Sequence, residues 1–259
     1  MKGIKIIFFD IDGTLINMKK KCISEKVLET LIELEKNGIQ ICIATGRSPI
    51  ELPHFPNVAF DAFLTYNGSY CFDRHRVIFS HPLLKEDVHT IIKNAAGIGR
   101  PLALATKDRL VANGKAADLD AYDRIDGQEL MVADDFDAVA DNEEVYQILL
   151  GCRKADYADV MKDVKEAQIT AWWDRAVDII PVSGGKGTAI TRILAHYHLS
   201  KEEAMAFGNG NNDIEILKAV GMGVAMQNAS MELNVVADAI CDDAAHDGIY
   251  LYCKEHGLI

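Results

Sequence analysis

Four groups of side chains in this sequence have the types and spacing for chemistry on a phosphate ester. Asp10 and Asp12 stand two residues apart behind the apolar run Ile6-Ile7-Phe8-Phe9, and Gly13-Thr14 comes directly after them. Thr45 precedes Gly46-Arg47. Lys186 lies in Ser183-Gly184-Gly185-Lys186-Gly187-Thr188. Asn209, Asn212 and Asp213 fall in Gly208-Asn209-Gly210-Asn211-Asn212-Asp213. Phosphoryl transfer requires a nucleophile, a proton donor for the leaving oxygen, a divalent cation, and donors for the phosphate oxygens. Carboxylates and amides suit Mg²⁺, a hard ion that keeps several of its waters. Taken alone, the Asp10/Asp12 pair reads as a solvated turn with two acids.

The elements that would carry these residues can be read from the apolar pattern. Ile6 to Phe9 reads as a strand buried on both faces of a parallel sheet, delivering Asp10 and Asp12 at the edge where open α/β sheets bind ligands. Ser24 opens a helix that runs to about Lys36, with Leu28, Leu31 and Ile32 on its apolar face, and Asn37-Gly38 closes it. Ile39 to Ala44 is a second strand, and the strand–helix–strand order implies a parallel pair, with Thr45 at the same edge as Asp10. Ala62 to Tyr66 is a third strand, ended by Asn67-Gly68.

From about Pro82 a helix over Leu84–Ala96 is expected, then strands near Leu102–Thr106 and Arg109–Ala112. Strand, helix and strand come next over Tyr146–Cys152, Ala155–Lys165 and Ala167–Trp173. Asp118 to Glu144 holds many acids and one base, Arg124, and reads as a solvated, partly irregular face. This mixture suggests an α+β unit over 83–183 inserted between the halves of an α/β core, 1–82 and 184–259. Val177–Val182, Ala204–Phe207, Gly223–Met226 and Ala239–Cys241 are further strands. They alternate with helices that run from the Lys186 loop to about Tyr197, over Ile214–Ala219, after Ser230, and at the C-terminus.

Composition narrows the partners. The 259 residues carry 27 Lys and Arg against 39 Asp and Glu, a formal net charge of −12, which argues against nucleic acid or an anionic membrane. No apolar run approaches the roughly 18 residues of a membrane span, and no signal peptide is read. Six cysteines without a CxxC suggest reduced thiols in a cytoplasmic protein. His196 and His198, two apart on an expected helix, do not face the same way. Trp172 and Trp173 could stack on a sugar, though alternation on a strand turns them to opposite faces. Lys186 is not in a Walker A loop, since Gly187 comes after it, and Asp213 stands where a dinucleotide fingerprint needs its third glycine.

The pieces FFDIDGTL, ATGR, YNGSY, SGGKGTAI, AFGNGNNDIEIL, GVAMQNAS and DGIY, taken together and in this order, resemble the haloacid dehalogenase (HAD) superfamily. The resemblance is specifically to its Cof-type phosphatases, which carry a large α/β (type IIB) cap after the third core strand. It implies a Rossmann-like core of parallel sheet flanked by helices, an inserted α+β cap, and Mg²⁺-dependent hydrolysis of phosphomonoesters of small, sugar phosphate-like metabolites by a monomer or homodimer. By the same resemblance Asp10 is the nucleophile that forms an aspartyl-phosphate. Asp12 protonates the leaving alcohol, activates water, and lends its backbone carbonyl to the metal. Thr45 and Lys186 bind phosphate oxygens, with Asn212 nearby; Gly46, Arg47 and Asn67 border the substrate pocket. Asp10, Asp12, Asn209 and Asp213 form the metal site. Asn209 departs from the family, which usually has an aspartate there, and removes one negative charge. Two alternatives remain: a sugar phosphomutase, and a non-catalytic metabolite-binding or regulatory protein on the same scaffold.

Overall fold

The computed structural model describes residues 3–123, 130–171 and 173–259. In chain order, β1 (Ile6–Phe9), α1 (Glu25–Lys36), β2 (Gln40–Ala44), β3 (Ala62–Thr65), β4 (Tyr70–Asp73) and β5 (Val77–Ser80) come first. Next are α2 (Lys85–Gly97), β6 (Leu102–Thr106), β7 (Leu110–Ala112), α3 (Ala117–Asp123), β8 (Met131–Val132), α4 (Phe136–Asn142), β9 (Val145–Leu150), α5 (Tyr157–Val160), β10 (Ala167–Thr170) and β11 (Val177–Pro181). The chain ends with α6 (Lys186–His196), β12 (Ala204–Gly208), α7 (Ile214–Ala219), β13 (Met222–Met226), α8 (Met231–Val236), β14 (Ala239–Cys241) and α9 (Gly248–Glu255).

Two compact units emerge. One comprises Met1–Thr45, Pro53–Phe79 and Lys186–Ile259, and the other Gly46–Leu52 and Ser80–Gly185. The first is built on an eight-stranded sheet in the order β14-β13-β12-β1-β2-β3-β4-β5. From β14 to β3 every pairing is parallel. The chain leaves β1 toward β2 and β3, then returns through β12 toward β13 and β14 on the other side. The order therefore reverses between β1 and β12, and the loops after those strands diverge into the crevice where open α/β sheets bind ligands. All four β1 residues are buried, and Phe9 stacks on Phe207 of β12 at 5.5 Å between ring centroids.

Several expectations need correction. In α1 the buried stripe is Val27, Thr30, Leu31 and Leu34, while Leu28 and Ile32 are half-buried at its margin. Strands β4 and β5 extend the sheet beyond β3 although neither was anticipated, so the second unit is inserted after the fifth strand, not the third. The turn after β3 explains β4. Tyr66, Asn67 and Gly68 take φ of +50°, +51° and +98°, which reverses the chain and lays β4 antiparallel on β3. The helix expected over Ala155–Lys165 stops at Val160. Asp163 takes φ +60°, and the buried Asp87 carboxylate on α2 accepts the Lys165 and Glu166 N–H groups at 3.0 and 2.8 Å, drawing that chain into a loop. The acidic stretch is less irregular than expected: α3, β8 and α4 occupy much of it, because Phe136, Val139 and Ala140 turn inward on α4. Arg124–Glu129 and Trp172 lie outside the described residues. Trp173 packs against the Arg175 guanidinium, 4.2 Å from the ring centroid.

The second unit has a six-stranded sheet, β10-β11-β9-β6-β7-β8, with α2, α4 and α5 packed on one face. All six cysteines are free thiols, and no helix among the described residues is long and apolar enough to cross a membrane.

Helix α6 ends at His196, so His198, with φ +56°, is not on it. His196 Nε2 lies 3.1 Å from Asp73 Oδ2, while Asp73 Oδ1 accepts the His75 and Arg76 N–H groups at 2.7 Å each. Burial opposes the Asp73 charge, but these donors outweigh it and hold the carboxyl below its ordinary value. A depressed carboxyl stabilises the fold above its unfolded pKa of about 3.9, and the effect is lost as pH falls through the folded value. Asp73→Asn is accordingly expected to lower stability by about 1–2 kcal/mol at pH 7. Chemical denaturation at several pH values should show the gap to wild type narrowing below about pH 4; a constant gap contradicts this.

Candidate active site

The first loop of the site is shaped by a tight reversal of the chain after β1. Asp10 continues the pairing with β12 through its N–H to Phe207 O, at 3.1 Å. The Thr14 and Ile16 N–H groups then fold back on Ile11 O, and Gly13 N–H reaches Ile16 O. Gly13 takes φ +87°, and a Cβ there would stand 2.4 Å from Asn209 Nδ2, so only glycine fits. Across this contact the Thr14 hydroxyl donates to Asn209 Oδ1 at 3.0 Å, tying the β1 loop to the β12 loop. Sequence reasoning gave Thr14 no role, and its place directly after Asp12-Gly13 was the signal for one.

At the centre is Lys186, the first residue of α6, only 1% exposed. Its Nζ donates to Asp10 Oδ1 at 3.0 Å and to Asp213 Oδ1 at 2.6 Å. The other oxygen of Asp213 accepts the Asn209 and Gly210 N–H groups, each at 3.0 Å. Gly208 makes room for this bend, since a Cβ there would meet Asp213 Cβ at 2.7 Å. Burial draws the Lys186 ammonium toward its neutral form, but Asp10 and Asp213 outweigh burial and raise its pKa, so it stays charged. Burial, then the neighbouring Asp213 carboxylate, push Asp10 up to about 7, while Lys186 opposes them and Asp12 adds to the rise. Positive charge near Asp10 is therefore in short supply.

The remaining candidates of the first unit gather on the same side of the sheet. Thr45 is buried after β2, held by its N–H to Leu64 O at 2.8 Å, and its carbonyl accepts Asn67 N–H at 3.0 Å. Asn212 Nδ2 donates to Asn67 Oδ1 at 3.2 Å, which joins the β3 turn to the β12 loop. Asp12 is half-buried. Gly46 and Arg47 belong to the second unit, where Arg47 donates to Glu51 O at 3.2 Å and Gly46 O accepts from Gln147 Nε2 at 3.2 Å.

Among the described residues no group of three or more His, Cys, Asp or Glu side chains converges on a metal position. The donors near Asp10 are instead mixed: its carboxylate, that of Asp213 on the same ammonium, and the Asn209 amide. All are oxygens, and such a set fits a hard cation like Mg²⁺.

The profile of haloacid dehalogenase-like hydrolases matches residues 7–252. The sequence is 30% identical to YkrA of Bacillus subtilis (strain 168), over 98% of each chain. It is 26% identical to the 5-amino-6-(5-phospho-D-ribitylamino)uracil phosphatase YitU of the same organism, over 97% of each. Among solved structures, that of a HAD subclass IIB sugar phosphatase, BT4131, superimposes with a TM-score of 0.88 at 28% identity, covering 98% of this chain and 100% of the other.

Proposed function

The chain belongs to the haloacid dehalogenase-like hydrolase family and is a phosphatase, and on that premise we propose that it hydrolyses monophosphate esters of small metabolites through an aspartyl-phosphate on Asp10. The observation that carries this reading is the buried Lys186 ammonium shared by Asp10 and Asp213 at the mouth of the parallel sheet. An Asp10 oxygen attacks phosphorus while the ester P–O bond breaks, and Asp12 gives its proton to the departing alkoxide. Water then attacks the phosphorus of the acyl phosphate and passes a proton to Asp12. Inorganic phosphate leaves, and the Asp10 carboxylate is restored. Lys186 favours the anionic form of Asp10 against burial and Asp213, and with Thr45 it holds phosphate oxygens; Asn212 lies close by. Asp10, the Asp12 carbonyl, Asn209 and Asp213 would hold Mg²⁺, which supplies positive charge to the phosphate oxygens when bound. Gly46, Arg47 and Asn67 border the substrate. The likeness to a sugar phosphatase supports a sugar-like ester.

A panel of phosphorylated metabolites, assayed for phosphate release with Mg²⁺ and with a chelator, tests the proposal. Release that depends on Mg²⁺ is expected for at least one sugar phosphate; equal release with the chelator rejects the metal.

Asn209 makes the metal site one charge poorer than an aspartate would, and both Asp213 oxygens are already engaged. Asn209→Asp is therefore expected to tighten Mg²⁺ binding roughly tenfold, since ligand charge tunes affinity for such ions. Calorimetric titration with Mg²⁺ alone measures this apart from turnover. Equal dissociation constants would show that the amide carries no deficit.

A further inference from the structure

Asn67 bonds to two of the residues proposed to hold phosphate, and each bond uses a different part of it. Its main-chain N–H donates to Thr45 O at 3.0 Å, and its side-chain Oδ1 accepts from Asn212 Nδ2 at 3.2 Å. All three residues, and Gly210 with them, belong to the first unit. Asn67 is 1% exposed, which limits competition from water. The backbone that allows both bonds is left-handed, φ +51°, and asparagine is one of the few residues with a side chain that tolerates it.

The Asn212 carboxamide is held at both ends. Its nitrogen is on Asn67, and its oxygen lies against Gly210, where a Cβ would stand 2.5 Å from Oδ1. Orientation matters because the two ends of a carboxamide have opposite polarity: the oxygen only accepts, whereas the nitrogen has two N–H donors. A phosphate oxygen is an acceptor, so it is attracted by the nitrogen and repelled by the oxygen. Asn67 takes one N–H of Asn212, fixes which way the amide is turned, and leaves the second N–H for phosphate.

We infer that Asn67 is a positioning residue for phosphate: its carboxamide sets the orientation in which Asn212 donates to a phosphate oxygen, and its main chain holds the strand end that carries Thr45. This deepens the phosphatase reading above and rests on it. It also gives Asn67 a role that is independent of the leaving group. A residue that only bordered the substrate would discriminate among esters. One that acts through Asn212 affects every ester alike, because the phosphoryl group is common to all of them.

A double-mutant cycle tests this, with Asn212→Ala made in wild type, in Asn67→Gly and in Asn67→Asp. Glycine keeps the left-handed turn and the N–H to Thr45, and removes only the carboxamide. Aspartate keeps an acceptor for Asn212 Nδ2, and its added charge acts with and without Asn212 alike, so it cancels in the comparison. The readouts are the dissociation constant of inorganic phosphate in the presence of Mg²⁺, by calorimetry, and kcat/KM for a sugar phosphate and for phenyl phosphate. Asn212→Ala is expected to weaken phosphate binding roughly tenfold in wild type and in Asn67→Asp, but less than about twofold in Asn67→Gly, where the amide has already lost its orientation. Asn67→Gly should lower kcat/KM for both esters by the same factor. An equal cost of Asn212→Ala in all three backgrounds, or a loss confined to one ester, overturns the inference and leaves the phosphatase reading intact. If Asn67→Gly does not fold by circular dichroism, Asn67→Asp decides alone, and a smaller cost of Asn212→Ala there than in wild type overturns the inference. A wild type that releases phosphate from no ester removes the phosphatase reading, and this inference with it.

Discussion

Asp10→Asn is expected to lower phosphate release by at least about 10⁴-fold while the protein keeps its melting temperature or gains a few degrees. The loss of activity is a matter of chemistry: a carboxamide oxygen is a poor nucleophile toward phosphorus, and the other carboxylate on Lys186, that of Asp213, is held by the Asn209 and Gly210 N–H groups. The stability is a matter of charge. In the folded protein two buried carboxylates, Asp10 and Asp213, share one buried ammonium. The neutral isostere leaves Asp213 and Lys186 as a one-to-one pair and removes a buried charge that water would otherwise solvate. A residue important to folding would behave in the opposite way, losing stability and activity together. Phosphate release combined with thermal melting separates the two cases, and a melting temperature several degrees below wild type contradicts this assignment of charges in the site.

Lys186→Met should be the most damaging single change for stability. It leaves Asp10 and Asp213 buried beside each other with no cation, and breaking a buried ion pair by removing one partner costs about 3–5 kcal/mol. In a chain of this size that corresponds to a fall in melting temperature of roughly 10 °C. Phosphate release should fall by about 10³-fold or more, since in the proposed reaction the same ammonium also holds a phosphate oxygen. The double variant Lys186→Met/Asp213→Asn separates charge from packing. Neutralising Asp213 should recover part of the lost stability and none of the activity. Melting of the single variant within two degrees or so of wild type would mean that Lys186 is not the ionic centre described.

The site was legible in sequence where chemistry and strand ends coincide. Asp10 could be placed because four apolar residues precede it without a break, and Asn209–Asp213 because a buried strand and a glycine introduce them. Thr45 and Lys186 are legible for the same reason, each ending or opening an element with a clear apolar pattern. Strands β4 and β5 were not, because their existence depends on three consecutive positive φ angles after β3. The helix expected after Ala155 failed because Asp87, far away in sequence, takes the backbone donors of Lys165 and Glu166. The two faces of the second unit's sheet were invisible for a related reason. Alternation divides a strand into two faces, but only the register of β6, β9 and β11 reveals which face meets the helices.

The central claim, covalent transfer to Asp10, is most directly tested by acid-quenching the enzyme during turnover of a hydrolysed phosphate ester and mapping the modified peptide by mass spectrometry. Covalent transfer predicts one phosphoryl group on Asp10 of the peptide that contains it, absent in Asp10→Asn. A phosphoryl group on another residue, or quenched enzyme that carries none while phosphate accumulates in a burst, would contradict it.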